Sequence, residues 1–198
     1  ILDLRNNPGG LLDVAVRVAE KFLPKDKLIV YTKGRKENQN MQFFSRSRQP
    51  YDMPMVVLIN EGSASGSEIV AACLQDYKRA VIVGMKSFGK GSVQTIIPLS
   101  DGSALKLTTS KYFSPLGREI HGKGVPPDVE SAETRMQEPK TGAVGKKKEE
   151  IFEEMEQAEP DHKGKDGKAF DYKSDGQLIS AVDILKAIDI YVTTKNTK

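Results

Sequence analysis

Three serines crowd one glycine-rich segment, Asn60-Glu61-Gly62-Ser63-Ala64-Ser65-Gly66-Ser67-Glu68. It joins an apolar run that reads as a strand (Met55–Asn60) to one that reads as a helix (Ile69–Tyr77). A turn of small residues at such a joint can present a hydroxyl at a helix N-terminus. There, free amides and the positive end of the helix dipole favour developing negative charge. Ser65-x-x-Glu68 also spells a capping box, a purely structural use of the same residues. The esterase elbow G-x-S-x-G is not met, because Ala64 stands at its middle position.

A lysine lies within the second informative segment, Gly84-Met85-Lys86-Ser87-Phe88-Gly89-Lys90-Gly91-Ser92. It nearly spells a phosphate-binding loop, but Gly91 replaces the hydroxyl residue that would hold magnesium. A phosphate loop must also open a helix, whereas Val93-Gln94-Thr95-Ile96-Ile97-Pro98 is β-branched and extended. Lys90 reads instead as an amine set in a tight turn between two glycines, or as an ordinary exposed loop lysine. Desolvation lowers a lysine's pKa, and a neutral amine can serve as a general base.

A third segment, Asp3-Leu4-Arg5-Asn6-Asn7-Pro8-Gly9-Gly10, runs from a strand into a turn that opens a helix. It reads either as a plain joint or as a source of oxyanion-binding amides from Gly9 and Gly10, which no side chain screens. A Ser-His-Asp triad needs a histidine with a partner acid. Of the two histidines, His162 sits in a charged stretch, and His121 has no evident partner acid.

The elements that must position these groups alternate in type. Strands are predicted at Ile1–Leu4, Leu28–Thr32, Met55–Asn60, Ala80–Val83, Val93–Pro98 and Ala104–Thr109. Leu11, Leu12, Ala15, Val18, Ala19 and Phe22 recur at helical spacing, as do Ile69, Val70, Ala72, Cys73 and Leu74. Strands separated by helices predict an α/β core over residues 1–130. Residues 131–170 change texture: Lys146-Lys147-Lys148 runs into Glu149-Glu150 and large apolar residues are sparse. They read as a solvated charged linker with a short helix around Ile151–Ala158. Over residues 171–198, Leu178, Ala181, Val182, Leu185, Ile188 and Ile190 predict a helix that docks on the core.

Composition narrows the function classes. The chain has 198 residues and a formal net charge of +3 with 29% charged residues, too balanced to argue for nucleic acid or a membrane surface. No apolar run approaches the ~18 residues of a membrane helix. One cysteine excludes an internal disulfide, and two histidines leave little material for zinc. Neither a metal nor a cofactor is expected. The chain opens in mid-strand at Ile1, which reads as a piece of a longer protein.

Taken together, the three segments and Gly122-Lys123-Gly124-Val125-Pro126-Pro127-Asp128-Val129 resemble the carboxyl-terminal processing (tail-specific) proteases. The resemblance covers Ile1 to Val129, with four motifs in the family's order. It implies a partial ClpP/crotonase-like protease core and a serine endopeptidase that cuts proteins near their C-termini through a Ser-Lys dyad. On that pattern Ser65 is the nucleophile, Lys90 the general base and Gln94 the group that orients the amine. Gly66 and one of Gly9 or Gly10 supply the oxyanion hole. Gly66 departs from the alanine often found there, keeping the amide but loosening the turn. The resemblance further implies protein or peptide substrates with accessible C-termini and an extracytoplasmic setting, the bacterial periplasm or cell envelope. It places a PDZ domain and the first core strands upstream of Ile1, and leaves open a homo-oligomer. Two other readings share the fold: a non-catalytic peptide-binding module, and crotonase-like acyl-CoA chemistry.

Overall fold

Four short apolar runs pair side by side as a parallel sheet in the order β1-β4-β5-β8. They are β1 (Leu2–Asp3), β4 (Val56–Ile59), β5 (Val81–Gly84) and β8 (Val129–Glu130). The structure is a computed structural model and describes residues 1–133 and 172–196. The expected linker, the short helix within it and His162 lie outside the described residues.

Strand β4 is buried on both faces, as a continuous Val-Val-Leu-Ile run in a parallel sheet should be. Its alternation sorts the layers. Val57 and Ile59 join a core built with helices α1 (Leu12–Ala19) and α2 (Gly66–Asp76). Val56 and Leu58, with Val83, meet Leu178, Ala181, Ile184 and Leu185 of α3 (Gly176–Asn196) on the other face. Three layers result, helices on both sides of the sheet. Ile190, read as part of the docking face, is instead mostly exposed, because α3 runs past the edge of the sheet.

A second sheet, antiparallel and ordered β3-β2-β7-β6, packs beside the first. It comprises β2 (Leu28–Gly34), β3 (Gln42–Phe44), β6 (Ser92–Pro98) and β7 (Ala104–Phe113). Ile29 and Val30 anchor it to the core of α1 and α2. Strand β7 runs four residues beyond its predicted end because Ser110–Phe113 pair with β2. Strands β3 and β8 were not expected from the sequence.

Helix α2 is buried along nearly its whole length, from Gly66 to Gln75. Each fully buried Ile or Leu on it contributes roughly 1.5–3 kcal/mol. A helix so enclosed gives its N-terminus little freedom, and that end carries the serine turn.

Candidate active site

Strands β1, β4 and β5 are parallel, so their carboxyl ends lie on one edge of the sheet. The glycine turn after β1, the serine turn after β4 and the lysine loop after β5 all leave from that edge. Ligand sites of open parallel sheets form at such an edge.

Of the three serines, two are committed to structure. Ser63 Oγ donates to Leu4 O at 2.7 Å and accepts from Asn60 N at 2.9 Å, fully buried. Ser67 Oγ donates to Asn7 O at 3.0 Å. Ser65 lies between them and is half-buried. Its φ of 53° and ψ of −115° are strained for a residue with a Cβ. Such strain persists only where surroundings enforce it, and here a buried helix and both flanking serines do so.

Glu68 joins the serine turn to the lysine loop. Its Oε2 accepts the Ser65 amide at 2.9 Å and the Lys90 amide at 2.8 Å. Its Oε1 accepts the Gly89 amide at 2.7 Å and the Ser87 hydroxyl. Burial pushes this carboxyl up from the ordinary carboxylate range, and its hydrogen bonds pull it back only in part. Phe88 N adds a direct bond to Ser63 O at 3.0 Å. Glu68 fills the acid's half of the capping box by accepting the Ser65 amide, and the same carboxyl ties the Lys90 backbone to the serine turn. Capping and chemistry are thus compatible uses of one motif.

Lys90 is half-buried. The glycines around it serve packing: a Cβ on Gly91 would lie 2.3 Å from His121 N, and Gly122 N donates to Gly89 O at 2.8 Å. The Ile120–Gly124 turn therefore stacks on the lysine loop, while the His121 side chain is exposed. Strand β6 follows where a phosphate loop would open a helix. Gln94 sits on β6 opposite Thr108, next to a register shift, with its side chain exposed.

The glycine turn presses on the serine turn. A Cβ on Gly9 (φ +93°) would meet Gly66 N at 2.5 Å and Ala64 O at 2.6 Å, so only glycine fits. Gly9 N is already occupied, donating to Asn7 Oδ1 at 2.9 Å. Gly10 N lies 3.3 Å from where a Cβ on Gly66 would be. Among the described residues, neither Gly10 N nor Gly66 N has an acceptor. These two amides border one space beside Ser65. Next to them opens an apolar cavity of about 110 Å³, lined by Leu11, Val14, Ala15, Val18 and Val70.

Residues 1–131 match peptidase family S41. The chain belongs to that family. It is 46% identical over 190 residues to a carboxy-terminal-processing protease of Bartonella bacilliformis, covering 94% of this chain and 44% of that one. It is 48% identical over 130 residues to a CtpA-like serine protease of Staphylococcus epidermidis, covering 65% of this chain and 26% of that one. Among solved structures, the photosystem II D1 C-terminal processing protease superposes with a TM-score of 0.61 at 38% identity, over 66% of this chain and 34% of its own. The chain spans less than half the length of these relatives. As an S41 member it has the mixed α/β fold that the motifs implied.

Sequence reasoning saw Glu68 only as a helix cap. Its signal was an acid at the third position of a helix otherwise too apolar to be exposed, but the donors arrive from a loop about twenty residues away. Asn7 was likewise part of a motif without a role, and it organises the turn by accepting from Gly9 N, Ala64 N and Ser67 Oγ.

Proposed function

We propose that this S41 chain carries the catalytic centre of a serine endopeptidase that trims proteins near their C-termini, with Ser65 as nucleophile and Lys90 as general base. The observation that carries the reading is the shared Glu68 oxygen, which holds the backbones of Ser65 and Lys90 together. A cap alone does not need the lysine loop.

In the proposed reaction, Ser65 Oγ attacks the substrate carbonyl carbon while its proton passes to the Lys90 amine. The Gly10 and Gly66 amides receive the oxyanion; Gly9 is set aside because Asn7 occupies its amide. Collapse breaks the C–N bond, and Lys90 returns the proton to the leaving amine. Water, deprotonated by Lys90, then cleaves the acyl-enzyme. Gln94 keeps its role as orienter of the amine on resemblance to the family, from an exposed position on β6. That resemblance also supports an extracytoplasmic setting.

The apolar cavity beside the oxyanion amides suits the side chain of the residue whose carbonyl is attacked. Its walls of Leu11, Val14, Ala15, Val18 and Val70 offer a charged group no partner, so aliphatic side chains suit it and charged ones do not.

The test is cleavage of a protein with a free, unstructured C-terminus by the full-length protein and its Ser65→Ala and Lys90→Ala variants. Both variants are expected to fold and to lose activity by at least ~10³-fold. Undiminished cleavage by Lys90→Ala rejects the dyad, and turnover of acyl-CoA esters without peptidase activity favours the crotonase-like chemistry instead.

A further inference from the structure

One buried glutamine in α3 lies outside the catalytic account. Gln177 is fully buried within the apolar face that docks α3 on the sheet. Packing alone does not call for an amide there, since Leu178, Ala181, Ile184 and Leu185 supply the apolar contact. Both ends of the amide are used. Its Oε1 accepts Arg5 Nη1 at 3.1 Å, and its Nε2 donates to Ser131 O at 2.7 Å.

These partners are the exits of three strands. Arg5 follows β1 and begins the turn that ends in Gly9 and Gly10. Ser131 follows β8, and its amide donates to Gly84 O at 2.9 Å at the end of β5. Gly84 itself lies so close that a Cβ on it would be 3.4 Å from Gln177 Nε2. Gly84 opens the loop to Lys90.

Asp175, just before α3, works beside Gln177. Its carboxylate accepts Leu178 N at 3.1 Å, capping the helix, and pairs with Arg5 Nη1 at 2.7 Å. The opposite edge of the Arg5 guanidinium is held by Asp3, with Nη2 to Oδ2 at 2.7 Å and Nε to Oδ1 at 3.0 Å. A planar fork held on two edges fixes the direction in which the chain leaves β1. The next residues are already part of the site: Asn6 N donates to Asn60 Oδ1, and Asn7 O accepts from Ala64 N and Ser67 Oγ.

We propose that Gln177, assisted by Asp175, is a positioning residue for catalysis: it holds Arg5, and with it the glycine turn, in register with the strand that leads to Lys90. Helix α3 thereby contributes to the rate as well as to stability. The inference rests on the peptidase reading above. An oxyanion donor displaced by about 1 Å costs on the order of 10²-fold in rate, so a small shift of the turn is visible in kcat.

The experiment compares the full-length protein with Gln177→Leu, Asp175→Asn and Ile190→Ser, all well below their melting temperatures, with Ser65→Ala setting the baseline. Gln177→Leu keeps the volume and removes both hydrogen bonds. It is expected to lower kcat by about 10- to 100-fold while KM stays within about twofold. Hydrogen exchange of the Asn6–Gly10 amides should quicken in the same variant. Asp175→Asn should show a smaller loss of the same kind and serves if Gln177→Leu fails to fold. Ile190→Ser, on the exposed end of α3, should match wild type. Adding Gln177→Leu to Arg5→Leu should lower kcat no further. A lowered melting temperature with kcat per folded molecule unchanged overturns the inference while leaving the peptidase reading intact. Wild-type activity no greater than that of Ser65→Ala removes the peptidase reading, and this inference with it.

Discussion

Ser65 and Lys90 hang from one oxygen: their backbone amides donate to Oε2 of Glu68 at 2.9 and 2.8 Å. A carboxylate buried at the start of α2 thus sets how far the lysine loop stands from the serine turn. On the proposed reading, the pairing of nucleophile and base is a property of a third residue that need not touch substrate.

Glu68→Ala removes the acceptor of four donors, three amides and the Ser87 hydroxyl. Each buried donor left without a partner costs about 1–3 kcal/mol. The variant is expected to melt well below wild type and to lose peptidase activity. Glu68→Gln keeps the shape and one carbonyl acceptor, so it should fold more stably than Glu68→Ala yet cleave at least ~10-fold more slowly than wild type. Thermal melts and kcat on the same preparations check both.

The pH dependence of stability has a definite sign. Burial raises the Glu68 carboxyl above its ordinary 4.5, so between that value and the raised one the folded protein holds a proton that the unfolded chain lacks. The stability from this group is full below the ordinary value and lost as pH rises through the raised one. Wild type should therefore gain on Glu68→Gln, in melting temperature, as pH is lowered from about 8 to about 4. A relative loss on acidification would mean that the four donors outweigh burial.

The two glycines of the turn should respond in opposite ways. Gly9→Ala drives a Cβ to 2.5 Å from Gly66 N at a φ of +93°, whereas a Cβ on Gly10 meets nothing within 4 Å. Gly9→Ala is expected to reduce kcat by about 10²-fold or more, and Gly10→Ala to fold normally and keep most of its activity. Equal losses would contradict the assignment of the oxyanion amides.

The cavity predicts selectivity. Peptides with alanine or valine at the cleaved carbonyl should be processed faster than those with aspartate or lysine. Val14→Asp, which places a charge on the apolar wall, should lower kcat/KM for the aliphatic substrates by roughly 10- to 100-fold. A competition assay with peptide mixtures measures both effects.

Much of this was legible in the sequence because the core elements carry strong periodic signals. Val-Val-Leu-Ile before a small-residue turn could only be a buried strand feeding a helix. The site's residue types stood in segments whose order matched a family. What was not legible depended on distant pairing. Strand β3 is three residues of Gln-Phe-Phe with no alternation to read, and exists by pairing with β2. Strand β8 is two residues after a Pro-Pro pair, defined by its place beside β5. Glu68 looked like a local cap because its far donors arrive only in the fold, and Gln177, one residue before the apolar positions of its helix, carried no signal of its own. Polar residues buried for the sake of remote partners leave little mark in the sequence.

The central claim, that Ser65 is a nucleophile activated by Lys90, is tested most directly by the rate of its covalent modification. The full-length protein is treated with a fluorophosphonate, and the adduct is located and timed by peptide mass spectrometry. The account predicts a single adduct on Ser65, absent in Ser65→Ala and formed at least ~100-fold more slowly in a folded Lys90→Ala variant. An adduct on Ser63 or Ser67, or one on Ser65 that forms equally fast without Lys90, would contradict it.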